Sequence, residues 1–348
     1  MRDQDELLKV PDLAYGSGVI GVCDICHKRQ AVIVLEKERY KLCVIDFLNK
    51  TWIGSPEKPG RPLPSYRSER IWFDTDATSS RRAPGIVLKP TKVVRHPVVL
   101  ITPDIYGLTT TLLDGAIRFA REGFEVMLPD VGKTPGVGPA DHLSLRRGAV
   151  FGGGVAVGSA RVQHLLGLYR DALRHLRARD MVDPAKTALF GASYGGSLAA
   201  ALAGEDRSVT ALALAYPVAL KPVEYPRLIT APVLMVAGDG DRRTLAARRQ
   251  FVGARDSGGL ALETFELPGV GHNFLARDLR GYDLKAAEAA WARIIAFVRT
   301  RLLPPPPTPP APPVRPATAP APPAAPAPSA PAPRPNPASP ASSPVASG

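Results

Sequence analysis

Between residues 98 and 302 two hydrophobic patterns alternate along the chain. Val98-Val-Leu-Ile-Thr102 is an unbroken apolar run, the mark of a strand buried on both faces. Residues 110–122 then place Leu112, Leu113, Ala116, Phe119 and Ala120 on one side of a helix, and Gly123 is positioned to end it. Phe124 to Leu128 gives a second strand, closed by Pro129-Asp130. A long helix is predicted over 159–179, its apolar side formed by Val162, Leu165, Leu166, Leu168, Tyr169, Leu173 and Leu176. Thr187–Phe190 reads as a strand, Ser197–Ala203 as an apolar helix behind it, and Thr210–Ala215 and Pro232–Ala237 as further strands. Ala261–Phe265 is a candidate edge strand, and 284–302 a closing amphipathic helix. This alternation predicts the α/β class, with an open, mostly parallel sheet flanked by helices. Such sheets carry their active sites at the carboxyl ends of the strands.

The flanks differ from this middle. Residues 1–16 are polar and give no clear element, and 131–158 are glycine-rich and irregular. Residues 17–55 form a small unit: Ala31–Leu35 and Tyr40–Cys43 are strand-like, joined by the charged turn Glu36–Arg39. Residues 54–68 are rich in Gly, Pro and Ser and read as a linker. Residues 304–348 are almost entirely Pro, Ala and Ser, a composition that cannot build a core and favours disordered, polyproline II-like chain. A passive spacer is the plain reading of that tail; a protein partner with an SH3-like groove is the sharper one. The predicted division is therefore 17–55, 70–303 and 304–348.

At 45% hydrophobic and 22% charged residues the chain can bury a large core, which excludes wholesale disorder. Three cysteines exclude a disulfide-framed scaffold. No apolar run reaches membrane-spanning length, and the acidic start lacks a signal peptide's apolar region, so a cytoplasmic protein without a membrane partner is expected. The net charge of +12 is spread over short pairs such as Arg81-Arg82, Arg146-Arg147 and Arg242-Arg243. Without a nucleic-acid-binding motif beside them, these read as solvated surface, with an anionic substrate as a further explanation.

The chemistry concentrates in Gly191-Ala-Ser193-Tyr-Gly195-Gly196, which follows a predicted strand and precedes a predicted helix. This is the context of the G-x-S-x-G nucleophile elbow, where a strained turn lifts the Ser193 hydroxyl above the sheet. Free N–H groups at the helix start then face developing negative charge. Gly238-Asp239-Gly240-Asp241 follows a later strand, and either acid could orient a histidine. Gly271-His272-Asn273-Phe274 supplies the base, giving the α/β-hydrolase order Ser, Asp, His. The remaining histidines (27, 96, 142, 164, 175) make weaker cases, His164 and His175 as helix surface or packing residues and His142, in the loop after Asp130, as a candidate pocket neighbour.

Residues 85–300 resemble the dienelactone hydrolase family of α/β hydrolases. The resemblance rests on Asp104-Ile-Tyr-Gly107-Leu108, Glu122-Gly123-Phe124 with Pro129-Asp130, the elbow, Gly238-x-x-Asp241 and His272-Asn-Phe274. It implies Ser193, Asp241 and His272 as the catalytic residues, with Asp241 preferred over Asp239. It also implies an oxyanion hole from the backbone N–H groups of Tyr194 and Ile105, and Asp104 and Tyr106 at the pocket. The implied reaction is hydrolysis of a small ester or lactone without a catalytic cofactor. Two features depart from the pattern. The family's best-known members carry Cys where this chain has Ser193, which leaves the role of Asp104 open. Their substrate-carboxylate arginines have no secure match, although Arg277 lies near His272. The elbow wording also resembles the prolyl oligopeptidase group, but too few residues precede it for that group's propeller. Small-peptide hydrolysis and a non-catalytic scaffold are the alternatives.

Cys23-Asp-Ile-Cys26 and Cys43-Val-Ile-Asp46, separated by a strand, turn and strand, resemble a zinc ribbon. Three thiolates and the Asp46 carboxylate would complete a tetrahedral structural zinc site, with His27 as a competing ligand. A metal-free relic, haem attachment at Cys-x-x-Cys-His, and a redox pair are the other readings.

Overall fold

The computed structural model describes residues 65–75, 82–92, 94–104, 107–130, 154–277, 279 and 281–304, together with the backbone of four short strands nearer the N-terminus. Of those four, Gly21–Val22 pairs with Gln30–Ala31, and Ile33–Leu35 with Tyr40–Leu42, both antiparallel. The expected strand Ala31–Leu35 is thus divided between two partners. Cys23, Cys26, Cys43 and Asp46, the 131–153 stretch with His142, and the 304–348 tail beyond its first residue lie outside the described residues.

One sheet organises the rest. Its strands are β1 (Tyr66–Asp74), β2 (Arg82–Pro90), β3 (His96–Thr102), β4 (Glu125–Pro129), β5 (Val182–Ala192), β6 (Ala211–Ala215), β7 (Val233–Gly238) and β8 (Leu262–Leu267). They lie in the order β8-β7-β6-β5-β3-β4-β2-β1. All neighbours are parallel except at β2, which runs antiparallel to β1 and β4. Every residue of β3 and β4 is buried, as continuous apolar strands in a covered parallel sheet should be. The edge strands β1 and β8 have mixed exposure. The hairpin β1–β2 was not anticipated, and the 54–68 linker reading runs into β1, which starts at Tyr66.

Among the described residues five α-helices cover the sheet: α1 (Thr110–Arg121), α2 (Ala160–Arg177), α3 (Ser193–Glu205), α4 (Leu245–Asp256) and α5 (Leu284–Leu302). Thr109, Ser159 and Asp283 cap α1, α2 and α5 with their side chains. One core packs α1 and α5 on one face of the sheet; a second packs α2, α3 and part of α4 on the other. This is the α/β-hydrolase fold. Within the stretch read as irregular, Val155–Ala156 pairs with Leu220–Lys221, joining two loops beside α3. Among the described residues no helix is long and apolar enough to cross a membrane.

Candidate active site

Strand β5 ends at Ala192 and helix α3 begins at the next residue, so Ser193 itself makes the turn. Its φ is +52°, in the left-handed region that costs a residue with a Cβ about 1–2 kcal/mol. The flanking glycines make the turn sterically feasible. A Cβ on Gly191 would lie 2.5 Å from the Gly195 carbonyl oxygen, and one on Gly195 would lie 2.4 Å from the Thr102 carbonyl oxygen. Buried Thr102, at the end of β3, donates its hydroxyl to that Gly195 oxygen at 2.7 Å and so ties strand to elbow. The helix expected over Ser197–Ala203 therefore starts four residues earlier, at the serine.

The structure brings the three expected side chains together. Ser193 Oγ lies 3.0 Å from His272 Nε2, and His272 Nδ1 lies 2.7 Å from Asp241 Oδ2. Asp241 is buried. Its carboxylate also accepts from the Thr244 hydroxyl and, at 3.0 Å, from the Arg243 backbone N–H. Burial alone would raise its pKa. The bond to His272 and the charge of that ring, with the Thr244 and Arg243 bonds, outweigh burial and hold the carboxyl below its ordinary value. Asp239 does a different job: it is exposed, and its Oδ1 accepts from the Gly269 N–H at 2.7 Å, fixing the start of the loop that carries His272.

Tyr194 occupies the second position of α3, in the first turn, where backbone N–H groups have no acceptor within the helix. Its side chain is buried in the core, and that burial pushes the phenol up to about 12. Ile105 and Tyr106 lie outside the described residues. The turn bracketing them is closed by the Gly107 N–H on the Asp104 carbonyl at 3.0 Å, with Gly107 at φ +73°. Asp104 is half-buried, and its charge adds to the burial that raises the phenols of Tyr169 and Tyr216.

Tyr216 was missed in the sequence reading. It follows β6 directly, is buried, and sets its ring 4.9 Å from the His272 ring, tilted 63°. The only signal for it is its place at the carboxyl end of a central strand. Among the described residues the other histidines have other surroundings: His164 is exposed, His175 packs near Phe73, and buried His96 points Nδ1 at the Gly123 carbonyl. Arg277 lies over the Tyr282 ring, 5.8 Å from its centroid.

A hydroxyl against an imidazole, a carboxylate behind that imidazole, and a helix N-terminus beside the hydroxyl form an arrangement that can carry acyl transfer. Known proteins resemble this chain in sequence and in fold. A Bradyrhizobium protein named as a probable 2-oxo-3-(5-oxofuran-2-ylidene)propanoate lactonase is 23% identical over 248 residues, covering 66% of this chain and 94% of its own. The crystal structure of a dienelactone hydrolase-like promiscuous phosphotriesterase from metagenomic libraries superposes with a TM-score of 0.55 at 22% identity, covering 68% of this chain and 99% of its own. Dienelactone hydrolase from Anabaena variabilis gives 0.50 at 17% identity, with the same coverage. The Dienelactone hydrolase family model matches residues 83–302, more than half of the sequence, and the chain belongs to that family.

Proposed function

We propose that the protein is a serine hydrolase that cleaves a small carboxylic ester or lactone through an acyl-enzyme on Ser193. As a family member it acts on ester or lactone bonds; the nucleophile and the roles below are the present reading. The observation that carries it is the unbroken hydrogen-bonded chain from Ser193 through His272 to Asp241.

In this scheme Ser193 Oγ attacks the carbonyl carbon while His272 Nε2 takes its proton. Asp241 accepts from the Nδ1–H of His272, which fixes the tautomer with Nε2 free, and its negative charge stabilises the imidazolium. The oxyanion meets the backbone N–H of Tyr194, with that of Ile105 as the second expected donor. His272 then returns the proton to the leaving alkoxide, which stays tethered when the substrate is a lactone. Water, activated by the same base, releases the acid. The Bradyrhizobium lactonase supports a lactone as substrate. The net charge of +12 supports an anionic one. No catalytic cofactor enters the scheme. A structural zinc on Cys23, Cys26, Cys43 and Asp46 is proposed for the N-terminal unit alone.

The test is hydrolysis of p-nitrophenyl acetate and of a small lactone by the wild type and by Ser193→Ala, with thermal unfolding as the folding control. The alanine variant should lose activity by several orders of magnitude. A folded alanine variant with full activity would overturn the assignment.

A further inference from the structure

His272 stands on sixteen residues of chain between β8 and α5, whose described residues form no strand or α-helix. Two hydrogen bonds hold its ring, and both must reorganise as the proton moves from Ser193 to the imidazole and onward. A base on so long a loop needs support from a rigid element. Tyr216 at the end of β6 supplies it. Its backbone N–H donates to the Val236 carbonyl at 2.7 Å, which anchors it to the neighbouring strand β7. Its ring stands edge-on to His272 and to Phe274, with both centroids 4.9 Å away. One side chain therefore touches the imidazole and a second residue, Phe274, of the loop that carries it.

Ordinary core packing does not account for this residue. Tyr216 has φ +37°, a conformation that glycine adopts freely and a residue with a Cβ does not. A strained backbone persists where its surroundings fix it, and such positions cluster at functional sites. Here the strained turn directs the ring at the imidazole. Just beyond it, Ser197 Oγ donates to the Val218 carbonyl at 2.7 Å and accepts from the Val218 N–H at 3.0 Å, locking the following loop onto α3. Tyr216 and Ser193 are thus held on one rigid assembly, and His272 is held between them.

We propose that Tyr216 is the positioning residue of the base, holding the His272 imidazole in line between Ser193 Oγ and Asp241 through ring contact with His272 and with Phe274. This rests on the serine-hydrolase reading above. It predicts an effect on the chemical step and little on substrate binding.

The test compares Tyr216→Leu and Tyr216→Phe in p-nitrophenyl acetate hydrolysis, with thermal unfolding as control and Ser193→Ala alongside. Loss of the ring in the leucine variant should lower kcat roughly 10²-fold, the scale of a 1 Å misplacement, with KM within about 3-fold. Phenylalanine keeps the ring and both of its contacts, so its kcat should stay within about 3-fold of wild type. Tyr216→Met provides the same comparison if the leucine variant does not fold. A folded leucine or methionine variant with wild-type kcat, or a phenylalanine variant as slow as leucine, overturns the proposal. Full activity in Ser193→Ala would instead overturn the serine reading, so the two failures are distinct.

Discussion

Replacing Asp241 with asparagine changes one oxygen to an amide nitrogen in a site where every acceptor is used. In the wild type Oδ2 faces His272 Nδ1 and the Thr244 hydroxyl, and Oδ1 faces the Arg243 N–H. The amide has two ways to sit. With its oxygen at the Oδ2 position, its NH2 group meets the Arg243 N–H, donor against donor, at a buried site. That costs about 1–3 kcal/mol of stability. With its oxygen at the Oδ1 position, the NH2 group donates to Nδ1, and the imidazole carries its proton on Nε2. The ring then cannot accept from Ser193. Either way the negative charge that stabilises the imidazolium is gone. The expected result is a kcat lowered about 10⁴-fold with KM little changed, the scale of the same substitution in a serine protease triad. The assay is steady-state hydrolysis of p-nitrophenyl acetate at neutral pH, with circular dichroism to establish folding. A folded Asp241→Asn variant within 10-fold of the wild-type kcat would refute the reasoning, because one placement of the amide stops Nε2 accepting the proton and the other leaves the imidazolium without its counter-charge.

Asp241 also leaves a signature in stability. Its folded pKa is depressed below the ordinary 3.8, so its contribution is present above that value and is lost as pH falls through the folded value. The Tm gap between wild type and Asp241→Asn should therefore narrow below about pH 4, and a gap constant from pH 7 to pH 3 would contradict this. Gly195→Ala places a Cβ 2.4 Å from the Thr102 carbonyl oxygen, which is backbone and cannot swing away. Thermal unfolding should report a loss of about 1–3 kcal/mol or more, and a variant as stable as wild type would show that the elbow can relax. Ser197→Ala removes both bonds to Val218 and should lower Tm and accelerate proteolysis after β6, whereas an unchanged digest would mean the loop is held by other contacts. The zinc reading predicts one metal per chain by elemental analysis, lost in Cys23→Ser; a full chain purified without chelator and carrying none would contradict it.

The alternation of strands and helices was legible because a covered parallel sheet writes its strands as apolar runs. The closing helix falls on the expected 284–302. The elbow was legible because its neighbours must be small and contiguous. What escaped did so for physical reasons. Strand β2 contains Pro84, Gly85 and Pro90, residues that argue against a strand, although it pairs on both sides. Helix α4 buries only Ala247, Phe251 and Ala254, too narrow a stripe to stand out among its arginines. The residues of the Gly238–Asp241 loop alone left both acids open, and only the resemblance, through Gly238-x-x-Asp241, pointed to Asp241, the carboxylate that His272 meets. Tyr216 escaped because no composition rule marks a tyrosine that will take a left-handed turn after a strand.

The central claim is that Ser193 is a nucleophile activated by His272. The most direct measurement is labelling with a fluorophosphonate probe followed by peptide mapping, on wild type and on His272→Ala. The account predicts one labelled serine, Ser193, in the wild type, and its loss in a folded His272→Ala variant. Labelling of a different residue, or equal labelling of Ser193 without His272, would contradict it.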